Sequence, residues 1–413
     1  MAADHLPVYM GDEAIPRLIA FCSERGLRSL ALVADPNTYS ALGRAVEEGL
    51  NSHAFDVRTV IVGGDDIGAD EHSAYQVLLG LDKAPRTFVA VGSGTITDVA
   101  RFVSHRSNSD FISLPTAASV DGYTSIGAPM IIDGAKITVN CQGPLAVFAH
   151  VPTLCAAPRK LTAAGFGDLI AKLTSVADWE IGHLVWDEPY DAEIARRARQ
   201  AVWDCVAELN PLVEAECYAI EALFSGLIES GFCMLDFGET RPASGYEHHV
   251  SHFWETKLLR EGRHSVFHGA KVGVAVLASA AVYESLRALS AEDVQERLRR
   301  PRPDPRAEEA AIRAAYGPMA EQVIANQQPF LQMMDDEYDG LRNRIVARWD
   351  EIRGVLDRVP PEAVMRGWLE RLGGATTPEA IGLSAAEYRQ GLDVGHYYRT
   401  RFSGKKLAHY LGV

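Results

Sequence analysis

The first 150 residues alternate short apolar runs with segments of helical periodicity. Four runs have the length and composition of buried strands, at residues 30–34, 57–62, 87–91 and 111–114. Helical periodicity fills the intervals, as at residues 16–24 and 39–50. This alternation predicts a parallel, doubly wound sheet, whose ligands bind beyond the carboxyl ends of the strands.

A β-rich stretch follows at residues 128–148, and its Asp133-Gly134 pair is typical of a hairpin turn. The pattern then changes to long helices, predicted at residues 166–181, 192–209, 215–234, 247–259 and 272–289. This change separates a sheet domain, residues 1–152, from a helical domain, residues 153–413.

Composition supports this organisation. At 413 residues the chain exceeds one ordinary hydrophobic core, which favours two domains. A hydrophobic content of 47% and a charged content of 23% are typical of a soluble globular protein. The net charge of −15 excludes a general nucleic-acid binder, because such a protein needs a basic surface.

The pattern also bears on location. No apolar run reaches membrane-spanning length, and the first residues lack the basic-then-apolar order of a signal peptide. The six cysteines are scattered without a CxxC pair, which favours reduced thiols over a disulfide framework. We therefore expect a cytoplasmic protein that does not insert into membranes.

Residues 244–269 are the most informative segment for chemistry. They contain five histidines, His248, His249, His252, His264 and His268. His248 and His252 lie four apart and share a helix face, while His268 lies in a separate His-Gly step. Imidazoles from different turns are common ligands of transition metals. Exposed or internally bonded histidines are the alternative interpretation.

The strand at residues 87–91 runs into a glycine-containing turn that opens a helix. Glycine lets backbone N–H groups approach a pyrophosphate at the positive end of a helix. The candidate cofactor residues are Gly94, Thr95, Ile96, Thr97 and Asp98. The turn is not a GxGxxG fingerprint, and it follows the third predicted strand, so a purely steric turn is the alternative.

A second candidate loop leaves the strand at residues 111–114 and offers hydroxyls and small side chains. Its residues are Thr116, Ala117, Ala118 and Ser119. Asp35, which closes the strand at residues 30–34, is placed to accept hydrogen bonds from an adenosine ribose. A helix N-cap ahead of Pro36 is the alternative role for Asp35.

Five motifs occur in the order and spacing of one known superfamily. They are GSGTITD from residue 92, PTAASVDGYTS from 115, AAGFGDLIAK from 163, SGYEHHVSH from 244 and HGAKVG from 268. The superfamily comprises dehydroquinate synthase, glycerol dehydrogenase and the iron-containing alcohol dehydrogenases. Within it the chain most resembles the glycerol-1-phosphate dehydrogenase family, AraM-like branch, over nearly its full length. The resemblance implies a Rossmann-like sheet domain followed by an all-helical, dehydroquinate synthase-like domain.

The resemblance also implies roles for individual residues. The two loops above would line NAD(P), with Ser125 near the nicotinamide and Asp121 touching the substrate. Asp168, His248 and His268 would hold one divalent metal ion, which would be zinc, nickel or iron. His252 would face the substrate instead of binding the metal. Ala270 departs from the acidic residue that often follows the His-Gly step in the family.

These assignments imply a reaction. The metal would act as a Lewis acid on the C2 oxygen while hydride passes between the nicotinamide and dihydroxyacetone phosphate or glycerol-1-phosphate. His252 is a candidate proton shuttle, with a structural histidine as the alternative. Asp168 could instead cap a helix. Lys172 and Lys271 are candidate donors to the substrate phosphate, although both could be solvated lysines.

Three other functions remain open at this point. The first is a dehydroquinate synthase-like cyclase that uses NAD transiently, and the second is a glycerol dehydrogenase acting on the unphosphorylated polyol. The third is a silent binding protein that keeps the fold. The expected partner in the leading interpretation is a small phosphorylated three-carbon substrate, and a homodimer is a candidate assembly because helical second domains commonly supply dimer contacts.

Overall fold

The protein is described by a computed structural model that covers residues 6–64, 67–133, 135–263 and 266–413. The chain folds into two compact units. The first comprises Met1–Leu169 with Trp203–Gly238, and the second comprises Ile170–Val202 with Glu239–Val413. Residues 153–169 and 203–238 thus share a unit with the sheet. The predicted functional division at residues 152 and 153 stays a prediction.

The first unit is built on a six-stranded parallel sheet, in the order β1-β8-β5-β4-β2-β3. A separate antiparallel pair is formed by β6 and β7. The strands are β1 Val8–Gly11, β2 Ser29–Ala34, β3 Asp56–Ile61, β4 Thr87–Gly92, β5 Phe111–Pro115, β6 Gly127–Ile132, β7 Ala135–Asn140 and β8 Val147–His150. The predicted parallel sheet is confirmed.

Two features of the sheet differ from the sequence prediction. β1 is an additional edge strand of four partly exposed residues, which is too short for its pattern to be recognised. The glycine turn therefore follows the fourth strand. β8 leaves the β-rich stretch and pairs in parallel with β1 and β5, whereas β6 and β7 form the predicted hairpin. Gly134, in the predicted turn, lies outside the described residues.

Alternation along the central strand explains the layered packing of this unit. Leu30 and Leu32 of β2 face the cluster that contains Leu18 of the first helix, whereas Ala31 and Val33 face the opposite cluster. Successive strand residues point to opposite faces, so a strand covered on both sides reads as a continuous apolar run. This is the physical basis of the runs that form β2, β4 and β5. β3 lies at the edge of the sheet and most of its residues are exposed or half-buried, so the prediction of a buried strand at residues 57–62 is wrong.

The helices of the sheet-containing unit connect its strands and follow its last strand. They are α1 Ala14–Glu24, α2 Pro36–Thr38, α3 Arg44–Ser52, α4 Glu71–Gly80, α5 Gly94–Arg106, α6 Val151–Cys155, α7 Arg159–Ile170, α10 Leu209–Val213 and α11 Cys217–Phe237. A π-helix at Tyr39–Gly43 precedes α3 within the helix predicted at residues 39–50.

The second unit is helical in its described residues. Its helices are α8 Lys172–Trp186, α12 Tyr246–Arg260, α13 His268–Arg287, α14 Ala291–Arg297, α15 Pro305–Tyr316, α16 Ala320–Leu331, α17 Asp335–Ala347, α18 Trp349–Leu356, α19 Glu362–Arg371, α20 Ala385–Val394 and α21 Gly404–Leu411. Helix α9, Ala192–Ala207, begins in this unit and ends in the first. Short 3-10 turns occur at Gly317–Met319, Glu379–Ile381 and Gly395–Tyr397.

The predicted helix at residues 166–181 is two helices, α7 and α8, separated at Ala171. Apolar periodicity does not register this break, because Leu169, Ile170 and Leu173 on both sides of it are buried. The break matters for the site, since it places Asp168 in the last turn of α7. A helix N-cap at Asp168 is therefore wrong.

Two helices would pass as membrane spans by length and composition, contrary to the sequence expectation. They are Cys217–Phe237 and His268–Arg287. Their most apolar windows are 61% and 67% buried inside the protein, as is usual for core helices. They therefore give no support to membrane insertion.

The cysteines also differ from expectation at one pair. Cys155 and Cys217 form a disulfide, with Cα atoms 5.5 Å apart, whereas four other cysteines are free. The expectation of reduced thiols at all six positions is therefore wrong for Cys155 and Cys217. Both cysteines begin or end a helix, and their separation of 62 residues gave no local signal for the pairing.

Helix α20 begins with a capping box that is sensitive to charge. Ser384 Oγ accepts from the Glu387 N–H, and the Glu387 carboxylate accepts from the Ser384 N–H at 2.8 Å and from Arg263 at 2.5 Å. Burial alone would raise the pKa of Glu387, but these bonds outweigh it and lower the pKa to about 2.

We expect Glu387→Gln to lower the free energy of unfolding by about 1 kcal/mol at pH 7. A carboxylate with a depressed folded pKa stabilises above its ordinary pKa of 4.5 and loses this effect as the pH falls toward about 2. The gap between wild type and variant should therefore narrow below pH 4.5 in urea titrations. The control is Glu370→Gln, at an exposed position; an equal loss in the control, or a gap independent of pH, would contradict this account.

Candidate functional site

The glycine turn brings backbone very close to side chains. A Cβ at Gly92 would lie 2.5 Å from Ile96, and one at Gly94 would lie 3.3 Å from Val120. Helix α5 begins at Gly94, so the first N–H groups of the helix have no carbonyl partner one turn earlier. Unpaired N–H groups at a helix N-terminus favour an anion such as a diphosphate.

Asp98 in this turn is engaged with the protein. Its carboxylate pairs with Arg101 at 2.8 Å, and Arg101 in turn donates to the carbonyls of Gly122 and Gly127. Burial raises the pKa of Asp98 to about 7, and the nearby Arg101 only partly opposes this. Asp98 therefore positions the segment that follows the second loop. Thr97 is buried, and its hydroxyl has no hydrogen-bond partner among the described residues.

The second loop, residues 116–119, lies beside the first. The Thr116 N–H donates to the Gly92 carbonyl at 3.2 Å, so the two loops are joined at the sheet edge. Tyr123 donates its hydroxyl to the Ala117 carbonyl at 2.6 Å and lies 3.2 Å from Ser119 Oγ. Thr116, Ala117, Ala118 and Ser119 are all buried. The sequence did not indicate Tyr123 or Arg101 as supports of this loop.

Helix α7 holds the loop from the other side. A Cβ at Gly165 would overlap the Ala118 carbonyl oxygen and lie 3.0 Å from the Ser119 Cα. Only glycine permits the two backbones to approach so closely. Gly165, the first glycine of the AAGFGD motif, is therefore required on steric grounds for this conformation of the loop.

Two other predicted cofactor residues make local bonds. Asp35 Oδ1 accepts from the N–H groups of Asn37 and Thr38 at 2.8 and 3.0 Å, which is the N-cap role. Ser125 donates its hydroxyl to the Gly127 carbonyl at 3.2 Å. The N-cap alternative for Asp35 therefore has a structural basis, and the ribose role stays a prediction.

Asp121 and Asp168 lie together in the first unit. The Asp121 N–H donates to Asp168 Oδ2 at 3.1 Å, and Ser230 donates its hydroxyl to Asp121 Oδ2 at 2.9 Å. Asp168 is fully buried. Ser230 lies on α11, 109 residues after Asp121, and nothing in the sequence pointed to it. These bonds fix a carboxylate whose burial requires compensation by a positive partner or a metal.

The second unit brings three of the predicted histidines together. The rings of His248 and His268 lie 5.4 Å apart, as do those of His252 and His268, and the His248 and His252 rings lie 6.3 Å apart. His248 and His252 are on α12, and His268 is the first residue of α13. Of the other two histidines, His249 is buried elsewhere on α12, and His264 lies outside the described residues.

Glu247 orients His248. Its carboxylate lies 2.9 Å from His248 Nδ1 and also accepts from the Gly245 N–H and the Thr174 hydroxyl. Burial would raise the pKa of Glu247, but the bonds from His248, Gly245 and Thr174 outweigh it and lower the pKa. An ionised Glu247 accepts a hydrogen bond from His248 Nδ1–H and so leaves Nε2 unprotonated and directed away from Glu247, which is the arrangement of a metal-binding histidine.

Asp178 completes the support of this helix end. It accepts from the Tyr246 N–H, the Tyr283 hydroxyl and the Gly404 N–H at 2.5–2.6 Å. Burial and the neighbouring Glu247 raise the pKa of Asp178. The start of α12 is thus held by two buried carboxylates, of which Glu247 has the lower pKa.

His252 has a different environment from His248. Its Nδ1 lies 3.6 Å from Glu255, and its ring stacks on Tyr398 at 5.5 Å. His252, Glu255 and His268 each offer a ligand atom within 4.8 Å of the others. His268 can therefore pair with either histidine of α12. The sequence patterns did not single out Glu255, although its spacing of three residues from His252 is a usable signal.

The two candidate phosphate donors are not solvated lysines. Lys172 is fully buried, and Lys271 is 1% exposed with its ammonium 2.8 Å from Glu255. A buried ammonium needs an anionic or hydrogen-bonding partner. A contact with substrate phosphate stays a prediction for both.

Known proteins resemble the chain over most of its length. Residues 9–158 match the iron-containing alcohol dehydrogenase family. The chain is 35% identical to a glycerol-1-phosphate dehydrogenase (NAD(P)+) of Geobacillus stearothermophilus, covering 94% of this chain and 88% of the relative. Two solved structures share the fold. NADH-dependent butanol dehydrogenase A of Thermotoga maritima has a TM-score of 0.63 and 12% identity, with 98% of this chain and 92% of that chain covered. Glycerol dehydrogenase of Schizosaccharomyces pombe has a TM-score of 0.57 and 17% identity, with 92% of this chain and 95% of that chain covered.

We expect Gly165→Ala to destabilise the protein by about 1–3 kcal/mol, because its methyl group overlaps the Ala118 carbonyl. The loop at residues 116–119 should also become more sensitive to limited proteolysis. Gly354→Ala is the matched control, since a helical Cβ there meets nothing within 4 Å and should stabilise by about 0.5–1 kcal/mol. Urea denaturation compares the two; equal stability of both variants would refute the steric account.

Proposed function

The chain belongs to the glycerol-1-phosphate dehydrogenase family, and we propose that it interconverts dihydroxyacetone phosphate and glycerol-1-phosphate with NAD(P) as hydride carrier. The observation that carries this proposal is the 35% identity to the Geobacillus stearothermophilus enzyme over 94% of the chain. Other relatives of 31–34% identity over at least 95% of the chain have the same name.

Asp168, His248 and His268 are the proposed metal ligands. The support within the second unit is the 5.4 Å separation of the two imidazoles and the Glu247 bond that turns His248 Nε2 outward. The support within the first unit is the burial of Asp168, a carboxylate on the helix that precedes the turn at Ala171. One carboxylate and two imidazoles suit zinc, nickel or iron and leave coordination positions for substrate.

When bound, the metal ion supplies Lewis acidity at the substrate C2 oxygen, which favours the alkoxide near neutral pH. The protein must then deliver and remove protons. His252 is the proposed proton carrier: it is partly exposed, and Glu255 and Tyr398 hold its ring. Asp121 is the proposed substrate contact. Its position is fixed by the Ser230 hydroxyl, which donates to its carboxylate, and by its own N–H, which donates to Asp168.

The two loops of the first unit are the proposed dinucleotide site. Gly94, Thr95 and Ile96 supply N–H groups at the start of α5, while Thr97 and Asp98 shape the turn. The loop at residues 116–119 supplies a buried wall, and Ser125 and Asp35 are proposed to reach the nicotinamide side and the ribose. When bound, NAD(P) carries the hydride.

Three proposals concern the setting of the enzyme. The partner is a small phosphorylated three-carbon substrate, with Lys172 and Lys271 as donors to its phosphate. A cytoplasmic location is in keeping with the burial of both long apolar helices. The enzyme is also proposed to assemble as a homodimer.

We expect the metal-restored protein to oxidise NADH or NADPH only when dihydroxyacetone phosphate is supplied, and Asp168→Asn to lower kcat/KM by about 10²–10⁴-fold, because metal ligation contributes several kcal/mol. The assay follows absorbance at the reduced nicotinamide band after adding zinc, nickel or iron. If the protein turns over glycerol but not its phosphate, the proposed substrate is wrong and the protein is a glycerol dehydrogenase. Product formation without net nucleotide consumption would indicate a cyclase, and no nucleotide binding would indicate a silent protein.

We expect His252→Gln to lower kcat by about 10²–10⁴-fold while the bound metal per chain stays at the wild-type value, because His252 moves protons and does not ligate. Metal content by elemental analysis separates the two roles. Loss of metal would show instead that the His252–Glu255–His268 group is the ligand set. Glu261→Gln, at the exposed C-terminal end of the same helix, is the control and should change neither quantity.

A further inference from the structure

A second cluster of metal-ligating side chains lies elsewhere in the helical unit. Glu308 is in the first turn of α15, His396 in the 3-10 turn Gly395–Tyr397, and His409 near the end of α21. Each offers a ligand atom, and these atoms all lie within 4.8 Å of one another. Three separate chain segments therefore converge on one point.

His396 is the most unusual member of the cluster. It is 1% exposed, and within the described part of the chain its ring has at most one weak hydrogen bond, to the Asp393 backbone, so at least one buried ring nitrogen is unsatisfied. An unsatisfied buried polar group costs about 1–3 kcal/mol. Burial and the nearby charges of Lys406 and His409 lower the pKa of His396, so the ring is neutral, as a metal ligand must be. The Asp393 backbone opposes this shift only in part.

Glu308 and His409 are already arranged for coordination. His409 Nε2 lies 3.0 Å from Glu308 Oε1, and the Tyr397 hydroxyl donates to the same oxygen at 2.8 Å. Burial would raise the pKa of Glu308, but the bonds from His409 and Tyr397 outweigh it and lower the pKa, so the carboxylate is ionised. A ligand carboxylate held by a tyrosine is typical of supported metal sites.

We infer that Glu308, His396 and His409 form a second site for a divalent transition-metal ion, which shares no residue with the proposed catalytic ligands. One carboxylate and two imidazoles are the donor set that zinc, nickel and cobalt prefer. Ligand atoms around such an ion lie roughly 3–3.5 Å apart, so closure needs a contraction on the order of 1 Å. The ion satisfies the His396 ring and ties α21 to α15.

Two neighbouring lysines, Lys405 and Lys406, oppose a cation here. Lys406 is buried, donates to Gln327 at 2.7 Å and lies 3.6 Å from the centre of the Phe330 ring. Burial lowers the pKa of Lys406 to about 7, which the nearby Glu308 only partly opposes. The Glu308 carboxylate, whose pKa is lowered, is the negative charge that offsets these cations.

The test is metal stoichiometry of the full chain. Chelator-treated protein is titrated with Co²⁺ or Zn²⁺ and analysed by elemental analysis and, for Co²⁺, by visible absorption. We expect about two ions per wild-type chain and about one in His409→Asn or Glu308→Gln. His53→Asn, which changes an exposed histidine outside the cluster, is the control and should keep about two. Equal stoichiometry in wild type and both cluster variants overturns the inference.

A second pair of variants tests the proposed catalytic ligands separately from the Glu308, His396 and His409 cluster. His248→Asn should keep about one ion, and His248→Asn combined with His409→Asn should bind none. If His248→Asn keeps the wild-type stoichiometry while His409→Asn loses an ion, the cluster stands and the proposed catalytic ligands fail. Zn²⁺ should also raise the unfolding temperature of His248→Asn but not of the same protein carrying Glu308→Gln; equal shifts overturn the tie between α15 and α21.

Discussion

The histidine site depends on two carboxylates that are buried at the start of one helix. Asp178 and Glu247 accept bonds from Gly245, Tyr246 and Thr174, so the first turn of α12 is fixed to α8. Removal of charge from water is costly, and two neighbouring carboxylates cannot both ionise easily. The pKa of Asp178 is therefore raised to about 7, whereas that of Glu247 is lowered, so Glu247 keeps the charge that orients His248. The orientation of the His248 imidazole thus depends on the burial of the Asp178 and Glu247 carboxylates.

In the sheet unit, the proposed dinucleotide site depends instead on the approach of backbone to a large anionic cofactor. Its two loops carry few polar side chains that are free to bind. Arg101 and Tyr123 instead hold the loop carbonyls, and Gly165 lets α7 touch the Ala118 peptide. A rigid wall of backbone with unpaired N–H groups binds a diphosphate by geometry and dipole, without a charged side chain. This is consistent with a chain of net charge −15 that acts on anionic metabolites.

The helical unit contains two groups of imidazoles that we propose as metal ligands. Both the His248–His268 pair and the Glu308 cluster combine imidazoles from different helices with a supported carboxylate. The first lies in the family's motif, whereas the second joins the C-terminal helix to the middle of the unit. The shared chemistry means that metal content alone does not locate the catalytic ion, and variants at each set are needed to assign it.

The sequence determined the elements and much of the chemistry. Short apolar runs identified four of the six strands of the parallel sheet, and motif order identified the family, because both depend on local spacing alone. Asp168, His248, His252 and His268 were named in this way. Tertiary structure decided the rest. The break at Ala171, the edge strand Val8–Gly11, the support from Ser230 and the convergence of Glu308, His396 and His409 all depend on contacts between residues distant in sequence, which local pattern cannot encode.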